Sequence, residues 1–285
     1  MKKLTALLLG TAMVLSLAAC GGSASTASSE AASSEAASSE ETSEAASSET
    51  ASESTDAAEL TTVAAGKLTM STNAAFPPYE MTADDGSFEG IDIEVAAAIA
   101  DKLGLELQID DMDFDAALLA TQSGKSDMVM AGVTVTDERQ KVMDFSDTYA
   151  EGIQSVIVPE DSDIASVDDL AGKTIGTQRG TTGYIYCTDD FGEDSVVAYD
   201  DRLTAVQALN NGQVDAVVID NAPAKEFVAA NTGLKILDTA YAQEDYAIGV
   251  AKGNTALLDA INGALEELQA DGTLQSIVDK YIKAE

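Results

Sequence analysis

Ala117-Leu-Leu-Ala-Thr-Gln-Ser-Gly-Lys-Ser-Asp127-Met-Val-Met130 aligns without a gap on Ala205-Val-Gln-Ala-Leu-Asn-Asn-Gly-Gln-Val-Asp215-Ala-Val-Val218, 88 positions further along the chain. Each copy predicts a helix, a glycine stop, an aspartate and a short buried strand. We read the pair as two lobes of like construction, each with its own open sheet. The alternative is coincidence over a single helix-to-strand unit, since glycine is common after helices.

Outward from the first copy, β-like and helical runs alternate: Lys67 to Ser71, a helix over Ile91 to Leu103, Leu105 to Ile109, then Phe114 to Ser123. That order predicts βαβ units on a parallel sheet and an α/β class. Ile91, Val95, Ile99 and Leu103 build one apolar helix face, and Gly104 supplies the stop. Two runs can join the lobes, Gln154 to Pro159 and Tyr246 to Ala251; only the helical patterns Leu257 to Leu268 and Leu274 to Ile282 follow. The expected organisation is therefore two open sheets joined by a two-strand hinge. Lobe 1 comprises 63–158 and 247–285, and lobe 2 comprises 159–246.

Upstream, Lys2 and Lys3 precede an apolar run from Leu4 to Leu17 that ends in Ala18-Ala19-Cys20. This reads as a secretory signal over 1–19, too short for a membrane span. Residues 20–62 are dominated by Ser, Ala, Glu and Thr, and Glu-Ala-Ala-Ser-Ser recurs at Glu30, Glu35 and Glu44. Such a segment cannot recover its ordering entropy and is expected to be a disordered tether. Forty such residues would span roughly 35 Å.

Residues 21–60 hold nine acids and no base, and 61–285 hold 41 acids against 13 bases, a net of −28. Nucleic acid and anionic membrane surfaces are poor partners for that charge. The chain has no histidine, which removes the commonest general base and the commonest metal ligand. Neither a catalytic residue, a metal nor a cofactor is expected. Beyond Cys20 the single cysteine is Cys187, which leaves it without an intramolecular disulfide and reads as a core or surface residue.

Ser71-Thr-Asn-Ala-Ala-Phe-Pro-Pro-Tyr-Glu80, Gly90-Ile-Asp-Ile-Glu94, Met112-Asp-Phe114, Ala131-Gly-Val-Thr-Val-Thr-Asp-Glu-Arg139 and Asp144-Phe-Ser146 occur in that order. Asp169-Leu-Ala-Gly-Lys-Thr-Ile-Gly176, Gly180-Thr-Thr182 and Asp215-Ala-Val-Val-Ile-Asp220 follow. Together they resemble the consecutive signatures of the family 3 solute-binding proteins, polar amino-acid receptors of ABC importers, over about residues 66 to 283. Leu17-Ala-Ala-Cys20 likewise resembles the lipobox of bacterial lipoproteins, which implies a lipid anchor at Cys20; the alternative is an ordinary signal peptide with an incidental cysteine. The resemblance implies a periplasmic-binding-protein-like fold (type II), a monomer, an ABC permease as partner, and a location on the outer face of the cell membrane.

An amino acid presents a carboxylate, an ammonium and a variable side chain, and the sequence offers a group for each. Arg139 has a bidentate fork for the carboxylate, with Gly132 and Thr134 just past a strand end; the alternative is a surface pairing with Asp137 or Asp144. Gly180-Thr181-Thr182 opens a helix and can face an anion. Asp220, the repeat equivalent of Gly132, suits the ammonium; the alternative is a helix cap. By resemblance, Asn73, Phe76 and Phe114 form the side-chain wall, although both phenylalanines also suit a core, and Ala131 and Gln178 join the ligand-binding set.

The favoured ligand is a free neutral polar amino acid, with a cationic one next. Asn73 departs from the aspartate of several cationic-amino-acid receptors, and Ile219 from the histidine of some glutamine receptors. The competing functions are a ligand-sensing module for a separate receptor and a dehydratase-like enzyme on the same fold.

Overall fold

The structure, a computed structural model, describes residues 60–282. The leader, Cys20 and the tether as far as residue 59 lie outside the described residues. Among the described residues no helix is long and apolar enough to cross a membrane.

The chain opens with β1 (Lys67–Thr72), a small antiparallel sheet of β2 (Ala75–Phe76), β3 (Glu80–Thr82) and β4 (Phe88–Glu89), then α1 (Ile91–Leu103), β5 (Glu106–Asp111), α2 (Phe114–Gln122), β6 (Met128–Val129) and α3 (Asp137–Gln140). The long β7 (Met143–Pro159) crosses to the second lobe. There β8 (Ile175–Gln178), α4 (Thr182–Phe191), β9 (Val196–Tyr199), α5 (Arg202–Asn210), β10 (Ala216–Asp220), α6 (Asn221–Ala230) and β11 (Leu234–Ile236) follow. Finally β12 (Ala242–Ala251) returns and α7 (Thr255–Ala270) and α8 (Thr273–Tyr281) close the chain.

Helices cover both faces of each half, as a mostly parallel sheet requires. In the first lobe Leu68, Met70, Ile91, Val95 and Ile99 pack with Leu257, Ile261, Leu265, Leu268, Leu274 and Ile277 from α7 and α8, so the last two helices belong to the first lobe. Phe114, Ala117, Leu118, Val129 and Met143 cover the other face. The second lobe has its own two clusters, around Ile157, Val206, Leu209 and Val217 on one face and Val156, Ile164, Leu170 and Ile175 on the other. Cys187 lies in the latter cluster, free and fully buried.

The repeat is structural down to its hydrogen bonds. Asp127 Oδ2 accepts from the Thr69 amide at 2.7 Å, and Asp215 Oδ2 accepts from the Thr174 amide at 2.7 Å. The helix stops match too: Lys125 N donates to Ala120 O, and Gln213 N to Ala208 O, past Gly124 (φ 68°) and Gly212 (φ 66°). Each aspartate thus ties the start of the strand after its helix to the first long strand of its lobe, Asp127 to β1 and Asp215 to the residue that leads into β8.

Two features differ from the sequence expectation. The two sheets are hydrogen-bonded through into one nine-stranded ladder, β5-β1-β6-β12-β7-β10-β8-β9 with β11 on β7, because the crossing strands are long enough to serve both lobes. The crossing itself also lies elsewhere. Ser155, Val156 and Ile157 pair with β10 and Gly249 pairs with Val129 of β6, so those runs are buried sheet rather than linkers. Between them Ala150 to Ile153 runs beside Gln243 to Tyr246, with Thr134 bridging Tyr246 and the Val135 amide donating to Asp245 O at the first-lobe side.

Candidate functional site

The strand ends and helix starts of both lobes converge on one cleft. Arg139 lies on α3, whose N-cap Thr136 accepts from the Arg139 amide at 3.2 Å. Its side chain turns inward, 7% exposed. Nη1 donates to Thr134 O at 2.7 Å within the first lobe and Nη2 to Gly180 O at 3.1 Å in the second. Burial pulls its pKa down to about 10, which leaves it a cation at neutral pH. The buried guanidinium bonds two backbone carbonyls rather than a surface carboxylate, and Asp144 pairs with Lys252 at 2.6 Å.

Asp220 ends β10 and is also buried. It makes no side-chain capping bond to α6, which removes the capping alternative. It accepts instead from Gln154 Nε2 at 2.9 Å and from Tyr246 Oη. Burial first, and the Glu244 carboxylate second, push its pKa up to about 6. Gln154 Nε2 also donates to Glu244 Oε2 at 2.9 Å, bridging two carboxylates at the crossing strands.

Asn73 follows β1 and is buried; Nδ2 donates to Met112 O at 3.0 Å, while Oδ1 accepts from Gln178 Nε2 at 3.1 Å and Arg202 Nη1 at 3.1 Å. Phe76 stacks on Tyr79 with centroids 5.4 Å apart, and Phe114 carries the Arg139 guanidinium 5.4 Å from its ring centre. Both phenylalanines are buried in the first-lobe core. Thr181 caps α4 by accepting from the Tyr184 amide at 3.3 Å, and the Thr182 hydroxyl lies 3.4 Å from Gln154 Nε2.

Ala131 is fully buried, and Gly132 beside it has φ 55°. Here glycine is required on two counts: a Cβ would sit 2.5 Å from the Phe76 ring, in a backbone region side chains disfavour. The Gly132 amide does not face the cleft as an anion donor; it donates to Asp92 Oδ2 at 2.9 Å. Asp92 Oδ1 accepts from Tyr149 Oη at 2.8 Å, and burial raises its pKa to about 6. Behind it Glu80, fully buried, is held well above the usual carboxylate range by burial and then by Asp92.

Gln154, Glu244, Tyr246, Asp92 and Arg202 were not anticipated from sequence. Only Arg202 had a readable signal. Extended four residues upstream, the repeat sets Asp113-Phe114 against Asp201-Arg202, which places Arg202 at the cleft position Phe114 holds in the other lobe.

Among the described residues no group of three or more His, Cys, Asp or Glu could hold a metal ion. A cavity of about 280 Å³ beside the crossing strands shares Asp220 and Tyr246 with the cleft but not Asn73, Phe76, Phe114 or Arg139. The convergent charges, rather than that cavity, mark the candidate site. A buried cation on one lobe and a buried carboxylate on the other can hold the two ends of a zwitterion.

Known proteins bear on this geometry. The L-cystine-binding protein TcyJ of Escherichia coli (strain K12) is 33% identical over 223 residues, 77% of this chain and 84% of that protein. ABC transporter arginine-binding protein 1 of the same strain is 33% identical over 223 residues, 76% of this chain and 91% of that protein. Among solved structures, an ancestral arginine-binding protein bound to glutamine superposes with a TM-score of 0.73 at 43% identity, covering 77% of this chain and 99% of that one. The family model for the bacterial extracellular solute-binding proteins, family 3, matches residues 68–284. A two-lobed type II binding fold with opposed charges in its cleft, and a family match across nearly the whole described chain, make this protein a member of the bacterial extracellular solute-binding proteins of family 3.

Proposed function

We propose that this protein captures a free polar amino acid outside the cytoplasm and delivers it to an ABC importer, binding without catalysis. The observation that carries the reading is the placement of Arg139 and Asp220, both buried, on opposite lobes of one cleft. The α-carboxylate goes to Arg139, the ammonium to Asp220, and the side chain runs along Phe76 and Phe114. Support comes from relatives named for binding cystine and arginine and from a similar structure holding glutamine. Asn73, Gln178, Thr181 and Thr182 complete the wall, and closure of the lobes traps the ligand.

The Cys20 lipid anchor completes the proposal: it holds the monomer at the outer face of the membrane, with the acidic tether giving it reach. Membrane fractionation of the full chain against Cys20→Ala tests that part, and unchanged partition would remove it. The ligand part is tested by a thermal-shift panel of the twenty amino acids, because a ligand bound only by the folded state raises stability by mass action. A panel with no shift would overturn amino-acid capture.

A further inference from the structure

Arg202, the first residue of α5, has no role in a cleft that reads only the α-carboxylate and the ammonium. It is 4% exposed. Its guanidinium lies 3.9 Å over the Phe76 ring centre and 5.7 Å from that of Phe114. One hydrogen bond holds it among the described residues, from Nη1 to Asn73 Oδ1 at 3.1 Å. The Asp220 and Glu80 carboxylates favour its charge without bonding to it, and a guanidinium has five N–H donors, so most of its donors are left for an oxygen acceptor that enters the cleft.

The geometry says where that partner would come from. Arg139 and Arg202 both lie against Phe114, at 5.4 and 5.7 Å, so one aromatic ring is flanked by two cations. If the α-carboxylate sits on Arg139, as the proposed function has it, a side chain laid along Phe114 ends at Arg202. We propose that Arg202 is a specificity-determining residue that donates hydrogen bonds to an oxygen at the end of the ligand's side chain. The protein then selects amino acids ending in a carboxylate or carboxamide and rejects those ending in a cation.

Rejection follows from the same contacts. A lysine or arginine ligand would need the aromatic face of Phe76 for cation–π stacking, and Arg202 already covers it. Its charge would meet Arg202 directly, a like-charge contact of the kind that excludes wrong partners. The amide Asn73 supplies no anion for a second cation, and the Asp220 and Glu80 carboxylates already act on Arg202. Extra methylenes matter far less than an acceptor placed for these donors.

This inference rests on the amino-acid reading, and calorimetry on the full chain separates the two. The wild type, Arg202→Met and Arg202→Lys are titrated with each of the twenty amino acids. The wild type should bind an acid or amide amino acid at least about tenfold more tightly than arginine or lysine. Arg202→Met, which keeps the apolar stem, should lose about tenfold or more for that ligand and gain for arginine and lysine, while Arg202→Lys, with charge but no fork, should fall between. A best ligand outside the acid and amide group, or an unchanged ranking in a folded Arg202→Met, overturns the role of Arg202 but leaves amino-acid capture standing. Absence of binding by every amino acid overturns both.

Discussion

Gln178 donates from Nε2 to Asn73 Oδ1 at 3.1 Å across the cleft, and the two residues are counterparts in the repeat. Each stands four residues past a threonine whose amide its own lobe's aspartate accepts, Thr69 with Asp127 and Thr174 with Asp215. The lobes therefore touch through equivalent strand ends, as two copies of one unit face to face. The same correspondence sets Gly132 against Asp220 and Phe114 against Arg202. At the last two pairs the lobes differ in charge, one carrying a neutral residue and the other an ionisable one, whereas Asn73 and Gln178 are both amides.

Loss of either pole should nearly abolish binding. Arg139→Ala and Asp220→Ala should each weaken the cognate ligand by about 2 to 5 kcal/mol, because truncation leaves a buried ligand charge unpaired. Calorimetry on variants with intact melting transitions checks this, and near wild-type affinity in either would refute its assigned pole.

Both proposed poles could be read from the sequence because each closes a recognisable motif, Arg139 the run from Ala131 and Asp220 the run from Asp215. The repeat, α1 and α2 were legible for a related reason, their period and glycine stops being local. Gln154, Glu244 and Tyr246 were not. They lie on β7 and β12, and a polar residue in a strand says nothing about its neighbour 90 positions away until the register pairs Gln154 with Ala242. The β2 to β4 sheet was hidden as well, since strands of two or three residues around Pro77-Pro78 carry no readable alternation.

The Asp220 carboxyl, pushed up to about 6 by burial and by Glu244, makes two opposite predictions for pH. Its folded value lies above its unfolded one, so the folded state binds the extra proton, and its contribution to stability falls as pH rises from about 4 to 6. That rise in pKa is worth roughly 3 kcal/mol. Affinity runs the other way. An ammonium favours the ionised carboxylate, so below about pH 6 binding must release a proton and Kd should weaken by up to about tenfold per pH unit. Arg202, Tyr246 and Gln154 also face this group, and Asp92 titrates near the same value. The comparison is therefore with Asp220→Asn, which should flatten the affinity profile; a wild-type Kd constant between pH 5 and 8 would contradict it.

Gly132→Ala should be costly although it adds one methyl. At φ 55° the backbone disfavours a side chain, and the Cβ would lie 2.5 Å from Phe76, whose ring is already held by Tyr79 and Arg202. Strain of this kind costs about 1 to 3 kcal/mol. At about 2 to 4 °C per kcal/mol for a domain of this size, calorimetric melting should drop by several degrees, with ligand affinity falling as Phe76 is displaced.

Closure should be a rotation about the paired stretch of β7 and β12, Ala150 to Ile153 beside Gln243 to Tyr246, where these two strands pass between the lobes. Neither lobe alone can satisfy both ends of a zwitterion, so the ligand binds the closed form better and shifts the population towards it. At this crossing Gly152 lies against the Tyr246 ring, and a Cβ there would approach it to 2.3 Å. Tyr246 in turn donates to Asp220, so the crossing strand is mechanically tied to the ammonium pole. Fluorescence labels on cysteines introduced at the exposed positions Asp101 and Glu193, in a Cys20→Ser background, would report the inter-lobe distance. Cys187 should not compete, since burial raises its thiol pKa to about 12. Saturating ligand should shorten the distance and narrow its distribution. Gly152→Ala should blunt that response by pushing Tyr246 off Asp220, leaving a longer bound-state distance and weaker affinity together. An unchanged distance in the wild type at saturation would rule out capture by closure, even with the ligand bound.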